Sequence, residues 1–494
     1  MSLIRISALD HTNIRVFSDY STEQELSDFF KFRAPGYQFM PSYRNKIWDG
    51  FVRLYNLQTK KIYRGLLPFI IEFANENDHE IEYENALDFE KESVDVDALD
   101  DWIDTLNLAD ADGNGIDFYD YQKEAIVTNI VNERNLILSP TGSGKSAIIY
   151  ALIRWHLTHK RKVLLIVPST SLVEQMYGDF TDYSQLNGFS VEKNCQRLYS
   201  GFTKEVSTNV LITTWQSIVS QPKSYFNNFD VVIGDEAHTN KSKSLQTIFD
   251  KLVNVRFRAG TTGSLDGSKI HSLILQGMFG SIHNVISTRE LMDNKQLANL
   301  KIKAIMLNHS DEICKANKGA SYTEEMDFLC THIDRNNFIK NLTLSTKSNT
   351  LVLFQYVEKH GKPLFNLISQ STDRKVFLIY GKTPVEERER IRILMAKEKD
   401  AIIVASYGVY QQGINIKSIE HIILASPSKS KIRVIQSIGR GLRLNIGKFF
   451  CTLYDIADNL KWKSKKNHTL EHALERYKLY SSEDFDMKIY EVKI

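Results

Sequence analysis

Residues 139–146 read Ser139-Pro140-Thr141-Gly142-Ser143-Gly144-Lys145-Ser146, a spacing suited to holding phosphate. Gly142 and Gly144 lack a Cβ, so the backbone of Thr141 to Gly144 can turn its N–H groups toward phosphate oxygens. Lys145 can reach the β- and γ-phosphates of a nucleotide, and the Ser146 hydroxyl can ligate Mg²⁺. The general pattern opens on Gly, and here Ser139 holds that place. A tight glycine turn before a structural helix is the bland alternative. The apolar run Leu136-Ile137-Leu138 before the loop and the long helical stretch after it favour phosphate, because a helix N-terminus attracts anions.

About ninety residues later, an apolar run ends in Asp235-Glu236-Ala237-His238. Adjacent carboxylates at a strand end can do two jobs. Asp235 can hold the hydration shell of Mg²⁺, and Glu236 can polarise an attacking water. His238 can sense the γ-phosphate or link the nucleotide to the nucleic-acid side. A solvated acidic turn is the alternative for the tetrapeptide alone. A third cluster places Gln436, Arg440 and Arg443 together. Residues three apart share a helix face, and guanidinium groups match phosphate oxygens. Such arginines, supplied from a second lobe, would stabilise charge as the terminal phosphate departs. The expected cofactors are ATP and Mg²⁺.

These residues need elements that hold them. Strands are expected at 135–139, 162–168, 210–214, 231–235 and 256–261, with helices at 145–159 and from 171. The pattern then recurs, with strands at 351–355, 376–380, 402–406, 421–425 and 450–455. Continuous apolar strands alternating with helices predict parallel sheets covered on both faces. The fold class is α/β, with two such lobes and a small N-terminal α+β accessory domain. The expected domains are 1–112, 113–288 and 289–494. A helix is expected over 22–32, a loop or linker at 110–115, and a basic helix over 461–478.

Totals set bounds. The 494 residues are 42% hydrophobic and 25% charged, as in ordinary globular proteins. A net charge of +2 neither demands nor excludes a nucleic-acid partner, because a local basic stripe suffices. Cys195, Cys314, Cys330 and Cys451 form no CxxC pair, which argues against a zinc site and for buried thiols. No apolar run is long enough to span a bilayer, and the first residues lack a signal-peptide core, so a cytoplasmic protein is expected.

From Tyr119 to Asp455 the chain resembles superfamily 2 helicases, whose two lobes are RecA-like. Tyr121-Gln122 stands where that family carries an adenine-contacting Gln. Residues 139–146, 235–238 and 436–443 match its motifs I, II and VI. Ser169 and Thr170 lie in a stretch similar to motif Ia, and Thr214, Trp215 and Gln216 in the next strand-contacting motif. Thr262-Gly263-Ser264 stands where Ser/Thr-Ala-Thr is usual. Phe354 matches motif IV, and Ser406 through Gly413 to Asn415 match motif V. Residues 36–50, with Arg44 and Trp48, resemble the N-terminal domain of the UvsW recombination-helicase family of bacteriophages. The resemblance implies an ATP-dependent enzyme of recombination, repair and replication restart. Its partner would be DNA, branched or forked, with RNA–DNA hybrids also in reach, and host-cell cytoplasm would be its place. A monomer is expected, since two lobes on one chain complete the ATP site.

The first domain interleaves Arg33, Arg44, Lys46, Arg53, Lys60, Lys61 and Arg64 with Tyr37, Phe39, Tyr43, Trp48 and Tyr55. Basic residues can contact phosphate while aromatics stack on bases. An aromatic core with solvated lysines is an equal reading. Lys461, Lys463, Lys465 and Lys466 are open to the same two readings. Three other functions compete: a duplex translocase without unwinding, a motor subunit of a restriction complex, and a non-hydrolysing binding module.

Overall fold

A computed structural model of the protein describes residues 2–201, 204–240, 243–265, 268–413, 416, 418–427, 442 and 450–494. They form two compact units, Met1–Ser139 with Gly144–Val285, and Ile286–Ile494 with Pro140–Ser143.

In the first unit, seven strands form one sheet in the order Cys195–Leu198, Val210–Thr214, Val163–Val167, Val231–Gly234, Phe257–Thr262, Arg134–Leu138, Ile282–Asn284. Every pairing is parallel. Burial on both faces follows from the sequence. Val163, Leu165 and Val167 enter one hydrophobic core, and Leu164 and Ile166 enter the other. Alternate side chains of a strand point to opposite faces, so a continuously apolar strand needs a cover on each. Helix Lys145–Thr158 packs on the first face and helix Lys269–Phe279 on the second.

The N-terminal segment adds a four-stranded mixed sheet, ordered Lys61–Tyr63, Asn13–Phe17, Leu3–Ala8, Glu80–Tyr83. Its core gathers Ile4, Ile6, Ile14, Val16, Phe30, Tyr55 and Phe73. The expected helix over 22–32 is shorter, Tyr20–Phe29, because Lys31–Arg33 instead pairs with Phe51–Arg53. Residues 110–115 form a tight hairpin turn in which Asp110 Oδ1 accepts from the Asp112 and Asn114 N–H groups.

The second unit repeats the architecture. Its seven parallel strands run Val376–Ile379, Ile402–Ser406, Thr350–Phe354, His421–Leu424, Phe450–Asn459, Asn299–Asn308, Asp486–Lys493. The last two were not legible as strands. Asn299–Asn308 mixes lysines with apolar residues, and Asp486–Lys493 is a largely exposed edge. The basic helix expected from 461 begins only at His468 and runs to Ser482. Lys463 adopts a left-handed φ of 55°, which a helix cannot contain, and Trp462 and Lys465 close a turn before it. The fold is thus two tandem RecA-like parallel-sheet lobes with a small N-terminal α+β domain. All four cysteines are buried.

Candidate nucleotide and nucleic-acid sites

Strands Val231–Gly234, Phe257–Thr262 and Arg134–Leu138 are neighbours in the first sheet, and parallel, so their carboxyl ends share one edge. That edge is where open α/β sheets bind ligands. The phosphate-loop sequence follows the third strand and Asp235 follows the first, so the middle strand must bridge them. It does so with one hydroxyl and one backbone bond: Thr261 Oγ1 donates to Asp235 Oδ1 at 2.7 Å, and the Thr262 carbonyl accepts from the Ser139 N–H at 2.9 Å.

The loop is shaped by its own groups. Gly142 and Gly144 have φ of 93° and 81°, left-handed values that only glycine adopts without strain. Ser143 Oγ donates to the Pro140 carbonyl at 2.7 Å. Lys145 Nζ donates to the Ser139 carbonyl at 3.0 Å. A Cβ on Gly144 would fall 2.3 Å from Gln122 Nε2, so the Gln122 amide lies against the loop. Gln122 is held there because its Oε1 accepts from the Tyr119 N–H at 3.0 Å in a capping box. The Ser146 hydroxyl meets the Tyr183 hydroxyl at 2.8 Å.

Asp235 is 6% exposed. Burial first, then the Glu236 carboxylate, push its carboxyl above the usual carboxylate range, while Lys145 and the Thr261 hydroxyl pull it down. Two adjacent carboxylates in a desolvated place, with one ammonium nearby, form a site that a hard divalent cation would relieve. Glu236 has a left-handed φ of 48°, a costly conformation for a residue with a Cβ. His238 Nδ1 lies 2.8 Å from Thr262 Oγ1 and 3.3 Å from Glu236 Oε2. Gln122, Lys145, Asp235, Glu236 and His238 are thereby brought to one edge. Thr261 and Tyr183 were missed. A hydroxyl closing an apolar strand was a signal for Thr261, whereas Tyr183 lies 37 residues from Ser146 with no local sign.

Gln436, Arg440 and Arg443 lie outside the described residues. Gly413 closes helix Tyr407–Gly413, and Asn415 is outside the description.

The strand-contacting candidates divide by burial. Thr170 and Gln216 are exposed, and half-buried Ser169 caps helix Thr170–Tyr183 through its Oγ. Trp215 is half-buried against the core. Two candidates are buried. Thr214 is buried with its hydroxyl 3.0 Å from Ser217 Oγ, because the strand's last side chain points inward. Phe354 is fully buried among Val352, Leu364 and Ile423, so its ring forms part of the core. Ser406 ends its strand and is nearly buried. In the N-terminal domain the aromatics split. Tyr55 is core, whereas Phe39 is 69% exposed, and Tyr37 and Tyr43 form an edge-to-face pair apart from that core. Arg44 is exposed, and Trp48 is half-buried with Nε1 donating to the Phe51 carbonyl at 2.8 Å.

Two parallel-sheet lobes, one carrying a phosphate loop beside paired carboxylates, define a nucleotide-hydrolysing motor enzyme. Family models agree along the chain. Residues 3–84 match the model described as DNA helicase UvsW, N-terminal; residues 115–263 match Type III restriction enzyme, res subunit; residues 334–445 match Helicase conserved C-terminal domain. The ATP-dependent DNA helicase uvsW of Enterobacteria phage T4 is 34% identical over 506 aligned positions, spanning 98% of each chain. The crystal structure of T4 UvsW matches with a TM-score of 0.53 at 32% identity, covering 99% of both chains. The DNA-bound Type ISP restriction-modification enzyme LlaBIII shares the fold, with a TM-score of 0.55 at 16% identity over 77% of this chain and 32% of its own. The chain belongs to the UvsW family of superfamily 2 helicases, and is an ATP-hydrolysing enzyme.

Proposed function

We propose that the chain is an ATP-driven DNA motor that unwinds or branch-migrates forks, displacement loops, R-loops and four-way junctions during recombination, repair and replication restart. The observation that carries this reading is the full-length likeness to a phage DNA helicase, N-terminal domain included. The accessory domain, residues 1–112, would engage the branch, with Arg44 and Trp48 at the contact. Lobe one, 113–288, would bind ATP, and lobe two, 289–494, would complete the site.

In that reading Gln122 contacts the base, and Thr141 to Gly144 with Lys145 hold the phosphates. Ser146 and Asp235 would hold Mg²⁺, which when bound supplies charge neutralisation to the phosphate oxygens. Glu236 takes a proton from the attacking water, and His238 couples its position to the Thr262-Gly263-Ser264 segment. Arg440 and Arg443, with Gln436 and Gly413, complete the second lobe's side. Ser169, Thr170, Trp215, Gln216 and Ser406 lie at strand ends suited to gripping a backbone, a contact that fits RNA–DNA hybrids as well as DNA. The chain acts as a monomer in the host-cell cytoplasm. No described helix is long and apolar enough to cross a membrane.

Steady-state ATP hydrolysis, measured alone and with single strands, duplex, a fork and a four-way junction, tests the reading. Strongest stimulation by branched DNA, with strand displacement from the fork, is expected. Stimulation by plain duplex without displaced strand would replace it with a duplex translocase.

A further inference from the structure

Strands Asn299–Asn308 and Phe450–Asn459 lie side by side in the second sheet, in register to their last residues, Asn308 opposite Asn459. The chain therefore leaves both strands at the same carboxyl edge. Lysines follow each strand: Lys315 and Lys318 beyond the first, where Asp311 and Glu312 balance their charge, and Lys461, Lys463, Lys465 and Lys466 beyond the second. The two segments wall a cavity of about 370 Å³, with Lys318, Trp462, Lys465 and Lys466 on its lining beside the carboxylate of Glu471.

This wall is a built turn. Trp462 and Lys465 exchange backbone hydrogen bonds of 3.2 and 3.1 Å, and the left-handed Lys463 permits the reversal. Buried Glu325 anchors the turn's exit, accepting from Asn467 Nδ2 at 2.7 Å and from the His468 and Thr469 N–H groups at 2.9 and 2.8 Å. That carboxylate is committed to a helix N-terminus. The lysines are exposed, and the Trp462 indole is half-exposed among them.

Ser406 ends a strand of the same parallel sheet three places away, roughly 15 Å along the same edge at ordinary strand spacing. We propose that the turn 461–466 with Lys318 is a second strand-contact site, at which Trp462 stacks on a base of single-stranded DNA and Lys318, Lys465 and Lys466 contact its phosphates. This site rests on the reading of the chain as a DNA motor. Basic side chains around an aromatic face are what a sequence-independent single-strand groove needs. An acidic peptide would satisfy the lysines through its carboxylates alone, whereas a single strand supplies phosphates for the lysines and, at every nucleotide, a base for the indole.

The test uses the full chain and a labelled oligonucleotide of about twenty thymidines, followed by anisotropy across a salt series. Lys465→Ala with Lys466→Ala should weaken binding severalfold and flatten the log–log salt slope by about 1.4, roughly 0.7 per lost phosphate contact. Trp462→Ala should weaken binding about tenfold with the slope unchanged, and Trp462→Phe should restore most of it. Lys488→Ala with Lys493→Ala, which removes two charges from the edge strand, is the control and should change neither. Lys318→Ala, on the separate segment, keeps the test decisive if turn variants lose their melting temperature. Wild-type affinity and slope in the Lys465/Lys466, Lys318 and Trp462 variants would overturn the site, and is the result expected if this face serves an acidic protein. No oligonucleotide binding by the unaltered chain would instead strike the motor reading itself.

Discussion

At the scale of single residues, the nucleotide edge separates binding from chemistry. Lys145 Nζ donates to the Ser139 carbonyl, so the side chain is already directed back over the loop. Lys145→Ala should abolish turnover; normal hydrolysis in that variant would remove the phosphate assignment. Glu236 occupies a strained backbone conformation, with its carboxylate 3.3 Å from His238 Nδ1. Glu236→Gln keeps the shape and removes the base. ATP should still bind, as read by a fluorescent nucleotide, while turnover falls about 10²–10⁴-fold. Loss of binding would contradict the general-base role. Arg440→Ala should slow hydrolysis about 10³-fold with DNA affinity little changed. A matching loss of DNA affinity would place Arg440 on the nucleic acid instead.

At the scale of elements, buried charge pins the second lobe together. Helix His468–Ser482 is tied to strand Phe450–Asn459 by Arg476, whose Nη2 and Nε donate to Asp455 at 2.6 and 2.8 Å, with the Tyr480 hydroxyl donating at 2.8 Å. Burial works against the Arg476 charge, but Asp455 more than offsets it and raises the guanidinium above its ordinary value. A buried pair is costly to break, because one charge is left alone in a low dielectric. Arg476→Ala should cost about 3–5 kcal/mol of stability in denaturant unfolding, whereas Arg476→Met with Asp455→Leu should cost far less. Equal losses in the two would show that the helix is held by packing rather than by charge. Arg335 and His309 on Asp458 form a second such knot, at 2.9 and 3.1 Å.

At the scale of the whole molecule, the N-terminal domain distinguishes this chain from a bare two-lobe motor. Its core is complete without Phe39, Arg44 or Trp48, so these residues contribute little to folding that domain. Arg33 lies over the Tyr37 and Phe51 rings at 4.7 and 4.1 Å, which stiffens the segment that carries them. Trp48→Ala should therefore lower the ratio of junction-stimulated to single-strand-stimulated hydrolysis about tenfold, the scale of one lost stacking contact. An unchanged ratio would assign Trp48 to local packing through its bond to Phe51.

The sequence by itself determined the parallel sheets and the nucleotide edge, because both are written locally. Val163–Val167 is apolar at every position, short and rich in β-branched residues, as a strand buried on both faces requires. The glycine spacing of residues 139–146 and the carboxylates at 235–236 each need only a few consecutive residues. The edge strand Asp486–Lys493 was not legible, since it is largely exposed and charged residues break up its apolar ones. Nor were partners set by chain crossing: Thr261 beside Asp235, Tyr183 beside Ser146, Glu325 beneath the turn at 461–466. Burial was likewise decided in three dimensions. Phe354 and Tyr55 read as aromatics like any other, yet the folded chain encloses both and leaves Phe39 in water. Motif position says which strand end a residue occupies; only packing decides which way its side chain faces.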